Sequence, residues 1–224
     1  MDARFERNIP ALTEAECSVL RSKKVLVVGC GGLGGFVLEY LARVGVGAIR
    51  CADGDRFDRS NLNRQLLCTE ETLGKPKAAA AAARLTNIVD PWVSVESVCA
   101  FADETNVSAL VDGCDIVIDA LDNIPARKLL AKACRQAGIP YVYGAISGWV
   151  AQAALSLPGD KLVETLYPED VVITDKSVLS FTPALCASMQ VALCIKYLVG
   201  RPVEAGKLYY FDLLHQEFET IDMV

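Results

Sequence analysis

A mostly parallel α/β sheet with helices on both faces is predicted by three features of this 224-residue chain. Strand-like and helix-like patterns alternate from residue 25 to residue 146, as they do where helices carry the chain between parallel strands. The first strand, Val25-Leu26-Val27-Val28, is apolar throughout, which suits a strand covered on both faces. It runs directly into Gly29, Gly31 and Gly34, spaced as G-x-G-x-x-G, and then into a helical pattern. Together these describe a Rossmann-like arrangement. Beyond residue 147 the order becomes strand, polar segment, long helix and hairpin, so antiparallel strands are expected at the C-terminal end.

The elements follow in order. Thr13 with Glu16 three residues on starts a helix over 13–21 as a capping box. After the strand 25–28, the glycine turn opens a helix over 33–44, and a second strand, 48–52, ends at Asp53. Residues 75–85 are alanine-rich and helical, 92–98 alternate as a strand, and 104–111 are helical. A short buried strand over 115–119 precedes a helix over 125–137, which has Pro125 in its first turn and Gly138 as its stop. Strands follow at 141–146 and 150–157, separated by a turn from an irregular polar segment over 161–181. Pro183 lies in the first turn of a helix that reaches about residue 197 and stops at Gly200; 208–212 and 217–222 form a terminal hairpin. No repeat or low-complexity linker intervenes, so residues 1–224 read as one domain, with a nucleotide-binding part over about 22–146 and a second part over about 147–224.

Composition narrows the function. Apolar residues make up 52% of the chain, but no run of about 18 of them is continuous, so no membrane span is expected. The first residues carry mixed charge and no apolar stretch, which favours a cytoplasmic protein without a signal peptide. The formal net charge of −6 and the lack of basic runs argue against nucleic acid as a partner. Nine cysteines occur and no two stand as C-x-x-C, so neither a zinc ribbon nor a dithiol pair is expected, and a reducing compartment fits.

The chemistry concentrates between residues 25 and 65. The three glycines allow a tight turn, a close approach of backbone to phosphate, and close helix packing, and the helix they open aims its free N–H groups at an anion. Asp53, at the end of the second strand, stands where an acid accepts ribose hydroxyls. A dinucleotide site needs no more than this. Here Asp55 and Ser60-Asn61-Leu62-Asn63-Arg64-Gln65 follow, adding an arginine fork suited to neutralising a triphosphate and amides suited to orienting its oxygens. Gly74-Lys75-Pro76-Lys77 then places lysines at a helix start, and Asp119-Ala120-Leu121-Asp122-Asn123 leaves a strand at the sheet edge where ligands bind. Asp122 is a candidate Mg²⁺ ligand, since Mg²⁺ takes one or two carboxylates plus substrate phosphates.

These residues, in this order, resemble the ThiF/MoeB/HesA family, relatives of ubiquitin-activating enzymes, over nearly the whole chain from Arg4-Phe5-Glu6-Arg7 to the last strands. The resemblance implies ATP-dependent adenylation of the C-terminal glycine carboxylate of a small ubiquitin-like sulfur carrier ending in Gly-Gly, with release of pyrophosphate. It places Gly29, Gly31, Gly32, Gly34, Asp53, Asp55, Ser60, Asn61, Asn63, Arg64, Gln65, Lys77, Asp122 and Asn123 in the nucleotide site. Arg64 and Lys77 would offset phosphate charge, Asp122 would hold Mg²⁺, and Arg7 would complete the site across a homodimer. Residues of about 147–224 would bind the carrier.

The chain also departs from that family. It lacks the paired C-x-x-C zinc ligands of many members, so ATP and Mg²⁺ are expected without zinc. No cysteine lies between Arg135 and Leu185, where thioester- or persulfide-forming members place a nucleophile. Either the chain only adenylates and a separate sulfurtransferase supplies sulfur, or Cys186 near the start of its helix is the nucleophile. Three competing readings are a carboxylate-activating dehydratase of modified tRNA, a non-catalytic scaffold for a ubiquitin-like partner, and a nicotinamide oxidoreductase.

Overall fold

The computed structural model describes residues 2–89, 91–168, 171 and 177–223. Its eight strands form one sheet. These are β1 (Lys24–Val28), β2 (Ala48–Ala52), β3 (Ser94–Val98), β4 (Ile116–Asp119), β5 (Tyr141–Ser147), β6 (Val150–Ser156), β7 (Lys207–Asp212) and β8 (Glu217–Asp222). The order is β3-β2-β1-β4-β5-β6-β7-β8; the first five are parallel and the last three antiparallel.

Successive side chains of a strand point to opposite faces, and the central strands feed two cores in that way. Val25 and Val27 join the side covered by α2 (Gly32–Val44), α3 (Lys77–Val89) and the long α7 (Phe181–Leu198). Leu26 and Val28 join the side covered by α4 (Val107–Val111), α5 (Ile124–Ala137) and the short α6 (Leu162–Leu166). Burial on both faces explains the unbroken apolar run: Val25, Leu26 and Val27 are fully buried. The helix α7 is long and apolar enough to cross a membrane by length and composition, but it packs here against α2, β5 and β6 as a core helix.

The N-terminal helix α1 (Glu14–Arg21) begins as expected. Thr13 Oγ1 accepts the Glu16 N–H, and the Glu16 carboxylate accepts the Thr13 N–H at 2.7 Å. Several bounds differ from expectation. The alanine-rich helix runs from Lys77 to Val89 because Lys75 and Pro76 belong to a turn: Phe57 N–H donates to Lys75 O, and Arg56 bridges Pro76. The strand expected at 92 starts at Ser94, and the helix expected at 104 starts at Val107, after Asp103 and Asn106 close a hydrogen-bonded turn. The segment 161–181, expected to be irregular, holds α6, whose Leu162 and Val163 are buried; residues 169, 170 and 172–176 of it lie outside the described residues. A 3₁₀ turn over Ala3–Asn8, not expected from the sequence, packs against the end of α2.

Candidate functional site

β1 has β2 on one side and β4 on the other, so the chain leaves it in opposite directions, and such a switch point opens a crevice at the carboxyl edge of a sheet. A cleft of about 320 Å³ lies there, a volume typical of small-ligand sites. Among its walls are Gly29, Gly31 and Gly32 after β1, Asp53 and Asp55 after β2, and Leu121 to Asn123 after β4.

The glycine turn is dictated by close backbone contacts. Gly29 has φ +97°, and a Cβ on it would stand 2.4 Å from the Ala120 carbonyl oxygen. A Cβ on Gly34 would stand 1.8 Å from the Gly29 carbonyl oxygen, so Gly34 serves packing and is not a wall of the cleft. Gly31 is the N-cap of α2 and no side chain caps it, which leaves first-turn N–H groups and the positive dipole end for an anion.

Asp53 braces this turn while lining the cleft. Its Oδ2 accepts the Cys30 N–H at 2.7 Å and its Oδ1 accepts the Asp55 N–H at 2.7 Å. Each oxygen keeps a second lone pair for a hydroxyl. Lys77 is buried at 7% exposure, and its Nζ pairs with Asp55 Oδ2 at 3.1 Å. Arg64 Nη1 donates to Ser60 O and Asn63 Oδ1, both at 2.9 Å. Gln65 is buried against Gly31 with its Oε1 unpartnered at the cleft wall.

Ser60, Asn61 and Asn63 were expected to touch the nucleotide, but none of them lines this cleft. Asn61 is buried and closes a capping box with Asp58, its Oδ1 accepting the Asp58 N–H at 3.1 Å. Ser60 and Asn63 hold Arg64, and Asn63 also donates to Val178 O at 3.3 Å. The Asn61 and Asn63 carboxamides shape the loop, and Ser60 contributes its backbone carbonyl.

Asp122 is exposed at the cleft edge beside Asn123, whose Oδ1 caps α5 by accepting the Ala126 N–H at 2.9 Å. A single exposed carboxylate at the edge of the cleft fits Mg²⁺ completed by substrate oxygens and water. Among the described residues, no three His, Cys, Asp or Glu side chains gather as a metal site.

Cys186 is corrected from a candidate nucleophile to a packing residue. It is fully buried between β5 and β6 and donates to the carbonyls of Gln152 (3.2 Å) and Ala145 (3.7 Å). Burial pushes its thiol up to about 12, so almost no thiolate exists at neutral pH. Arg7 is exposed on the N-terminal 3₁₀ turn and is not a wall of its own chain's cleft.

Sequence reading missed Phe101, Tyr167 and Arg127, all cleft walls. Phe101 is 64% exposed and lies on Gly54, where a Cβ would come within 2.5 Å of its ring. Arg127 is buried, pairs with the fully buried Asp119 at 2.6 Å and donates to Gly144 O at 2.7 Å. Burial raises Asp119, and Arg127 and Tyr141 offset only part of that; burial alone would lower Arg127, yet Asp119 holds it above its ordinary value. Arg127 lies in the helix read over 125–137 and joins no motif, so nothing in the sequence singles it out.

The fold and cleft are those of an α/β protein with a Rossmann-like crevice, lined by an uncapped helix start and by the cationic side chains of Arg64 and Lys77. The chain belongs to the ThiF family, whose model matches residues 5–223. It is 40% identical over 212 residues to the SAMP-activating enzyme E1 of Haloferax volcanii, covering 90% of this chain and 77% of that protein. It is 35% identical over 216 residues to the sulfur carrier protein adenylyltransferase of Thermus thermophilus, covering 90% of this chain and 79% of that one. The crystal structure of Escherichia coli MccB with ATP shares the fold, with a TM-score of 0.85, 23% identity and coverage of 100% of this chain and 72% of MccB. Such solved chains are longer: this one spans 66% of PaaA, another structure of the fold.

Proposed function

We propose that this cleft binds MgATP and brings its α-phosphate to the C-terminal glycine carboxylate of a small ubiquitin-like sulfur carrier. The protein is an adenylyltransferase: the carboxylate attacks the α-phosphorus, the bond to the bridging oxygen breaks, and an acyl-adenylate and pyrophosphate result. The observation that carries this reading is the convergence of the uncapped α2 start, Asp53, Arg64, Lys77 and Asp122 on one cleft at the switch point. A nicotinamide site needs only the first two.

Asp53 would hold the ribose and the α2 start the phosphates. Arg64 and Lys77 would neutralise charge that grows as pyrophosphate leaves, work done by preorganised groups in a partly dry site. Asp122 would hold Mg²⁺, which supplies further charge neutralisation on the phosphate oxygens. The 3₁₀ turn bearing Arg7 contacts α2 at its far end, where Asn8 donates to Val44 O and Phe5 packs on Gly45. A 13-residue helix spans roughly 20 Å, so Arg7 cannot reach its own cleft. With its own cleft out of reach, Arg7 is assigned to the cleft of a second copy, as the family resemblance implies, with a homodimer as the active form.

Carrier docking falls to the C-terminal part. Ile146 and Val178 line the cleft, and the exposed pair Trp149 and Phe181, with ring centroids 5.2 Å apart, lies beside them. Among the described residues no cysteine lines the cleft, which supports a separate sulfurtransferase and a reaction that ends at the adenylate. The test is ATP–pyrophosphate exchange with a purified carrier ending in Gly-Gly. Exchange should require that terminus and fall at least about 100-fold in Arg64→Ala; undiminished exchange in that variant would overturn the assignment.

A further inference from the structure

The buried ion pair of Asp119 with Arg127, of which Arg127 lines the cleft, has no part in the roles assigned so far. Arg127 reaches back from the first turn of α5 and joins three backbone segments. Its Nη1 donates to Asp119 Oδ2 at 2.6 Å, at the end of β4, and to Gly144 O at 2.7 Å, on β5. Its Nη2 donates to Leu121 O. Asp119 Oδ1 in turn accepts the Leu121 N–H at 2.8 Å, and the Tyr141 hydroxyl donates to Asp119 Oδ2. Both polar backbone groups of Leu121 are thus tied to one buried pair, and Leu121 directly precedes Asp122. On the other side, Ala120 O lies against Gly29 so closely that only glycine fits. The chain from residue 120 to 122 is clamped between the phosphate turn and the Arg127 guanidinium.

A buried pair is a weak source of stability, because the loss of hydration offsets much of the attraction. A nonpolar pair would fill the space as well. What an apolar substitute cannot do is hold the Leu121 carbonyl and N–H in one orientation. We propose that Arg127 is a positioning residue that fixes Asp122 relative to the glycine turn, so that one magnesium ion can touch Asp122 and the nucleotide phosphates together. This rests on Asp122 being the magnesium ligand.

The test is ATP binding by titration calorimetry on the full chain, in EDTA and in excess Mg²⁺, for wild type, Arg127→Lys and Asp122→Asn. Lysine keeps a charge opposite Asp119 but has no planar fork to serve Asp119, Gly144 and Leu121 at once. Arg127→Lys is expected to leave the EDTA affinity within about twofold of wild type and to cut the tightening given by Mg²⁺ by roughly tenfold or more, as for other groups that orient metal ligands. Full Mg²⁺ tightening in Arg127→Lys, or an equal loss of affinity in EDTA, overturns the positioning role. If Asp122→Asn keeps full tightening, the magnesium assignment fails instead, and the proposal with it. Thermal unfolding of each variant confirms a folded sample, and Arg127→Gln with Asp119→Asn serves as a neutral pair if lysine unfolds the core; that pair should again lose only the Mg²⁺-dependent part.

Discussion

Two adjacent glycines at the start of α2 allow the phosphate turn to be tested against helix propensity alone. Replacing either Gly34 or Gly35 by alanine should favour the helix by about 1 kcal/mol. The surroundings then separate them. A Cβ at Gly35 meets Leu67 Cγ at 3.3 Å, a side-chain contact that is relieved if the buried Leu67 gives by a few tenths of an ångström. A Cβ at Gly34 meets the Gly29 carbonyl oxygen at 1.8 Å and its carbon at 2.7 Å, and backbone cannot rotate away. The glycine turn must retreat by an ångström or more, and Gly29 is itself pressed on Ala120. Overpacking of this kind costs about 1–3 kcal/mol, more where main chain is struck. Gly35→Ala should therefore unfold in urea within about 1 kcal/mol of wild type, while Gly34→Ala should lose about 2 kcal/mol net and most of its ATP affinity. Equal urea midpoints for the two variants, or unimpaired ATP binding by Gly34→Ala, would refute the packing argument.

Other expectations follow from the same structure. Lys77→Met should reduce pyrophosphate exchange by about 100-fold with a small change in urea midpoint, since its partner Asp55 is exposed and rehydrates. Brief alkylation of the native protein, read by peptide mass, should modify the exposed Cys99 well before the buried Cys186, and Cys186→Ala should keep carrier-dependent exchange. The hydrogen bond from Arg201, which links α1 to the end of α7, lowers the Glu16 carboxyl to about 2. A lowered carboxylate contributes stability above its unfolded pKa and loses it as pH falls through the folded value, so the urea midpoint should drop between about pH 4.5 and 2. Glu16→Gln should flatten that part of the acid limb.

The alternation of elements, the glycine spacing and the capping residues were all local, and they set the fold class without further help. Thr13 with Glu16, and Gly138, mark helix ends because each satisfies backbone groups within a few residues. Arg64, Lys77, Asp53 and Asp122 were legible as site candidates because each closes a short motif beside a strand end or helix start. The family relationship was carried by the same motifs.

Contacts between distant segments were not legible. Asn61 has the composition of a ligand contact, but its carboxamide is used in a cap, and Ser60 and Asn63 hold Arg64. Cys186 looked reactive at a helix start, until β5 and β6 closed over it and burial removed its thiolate. Arg127 belongs to no motif, so nothing in the sequence singles it out within its helix. It is buried because Asp119 and the carbonyls of Leu121 and Gly144 come from β4, its following loop and β5, which meet only in the folded sheet. The sequence by itself thus determined the fold class, most of the elements, the glycine turn and the charged candidates beside it. Tertiary structure decided which polar atoms are free for a ligand, since that depends on the partners that folding brings to each one.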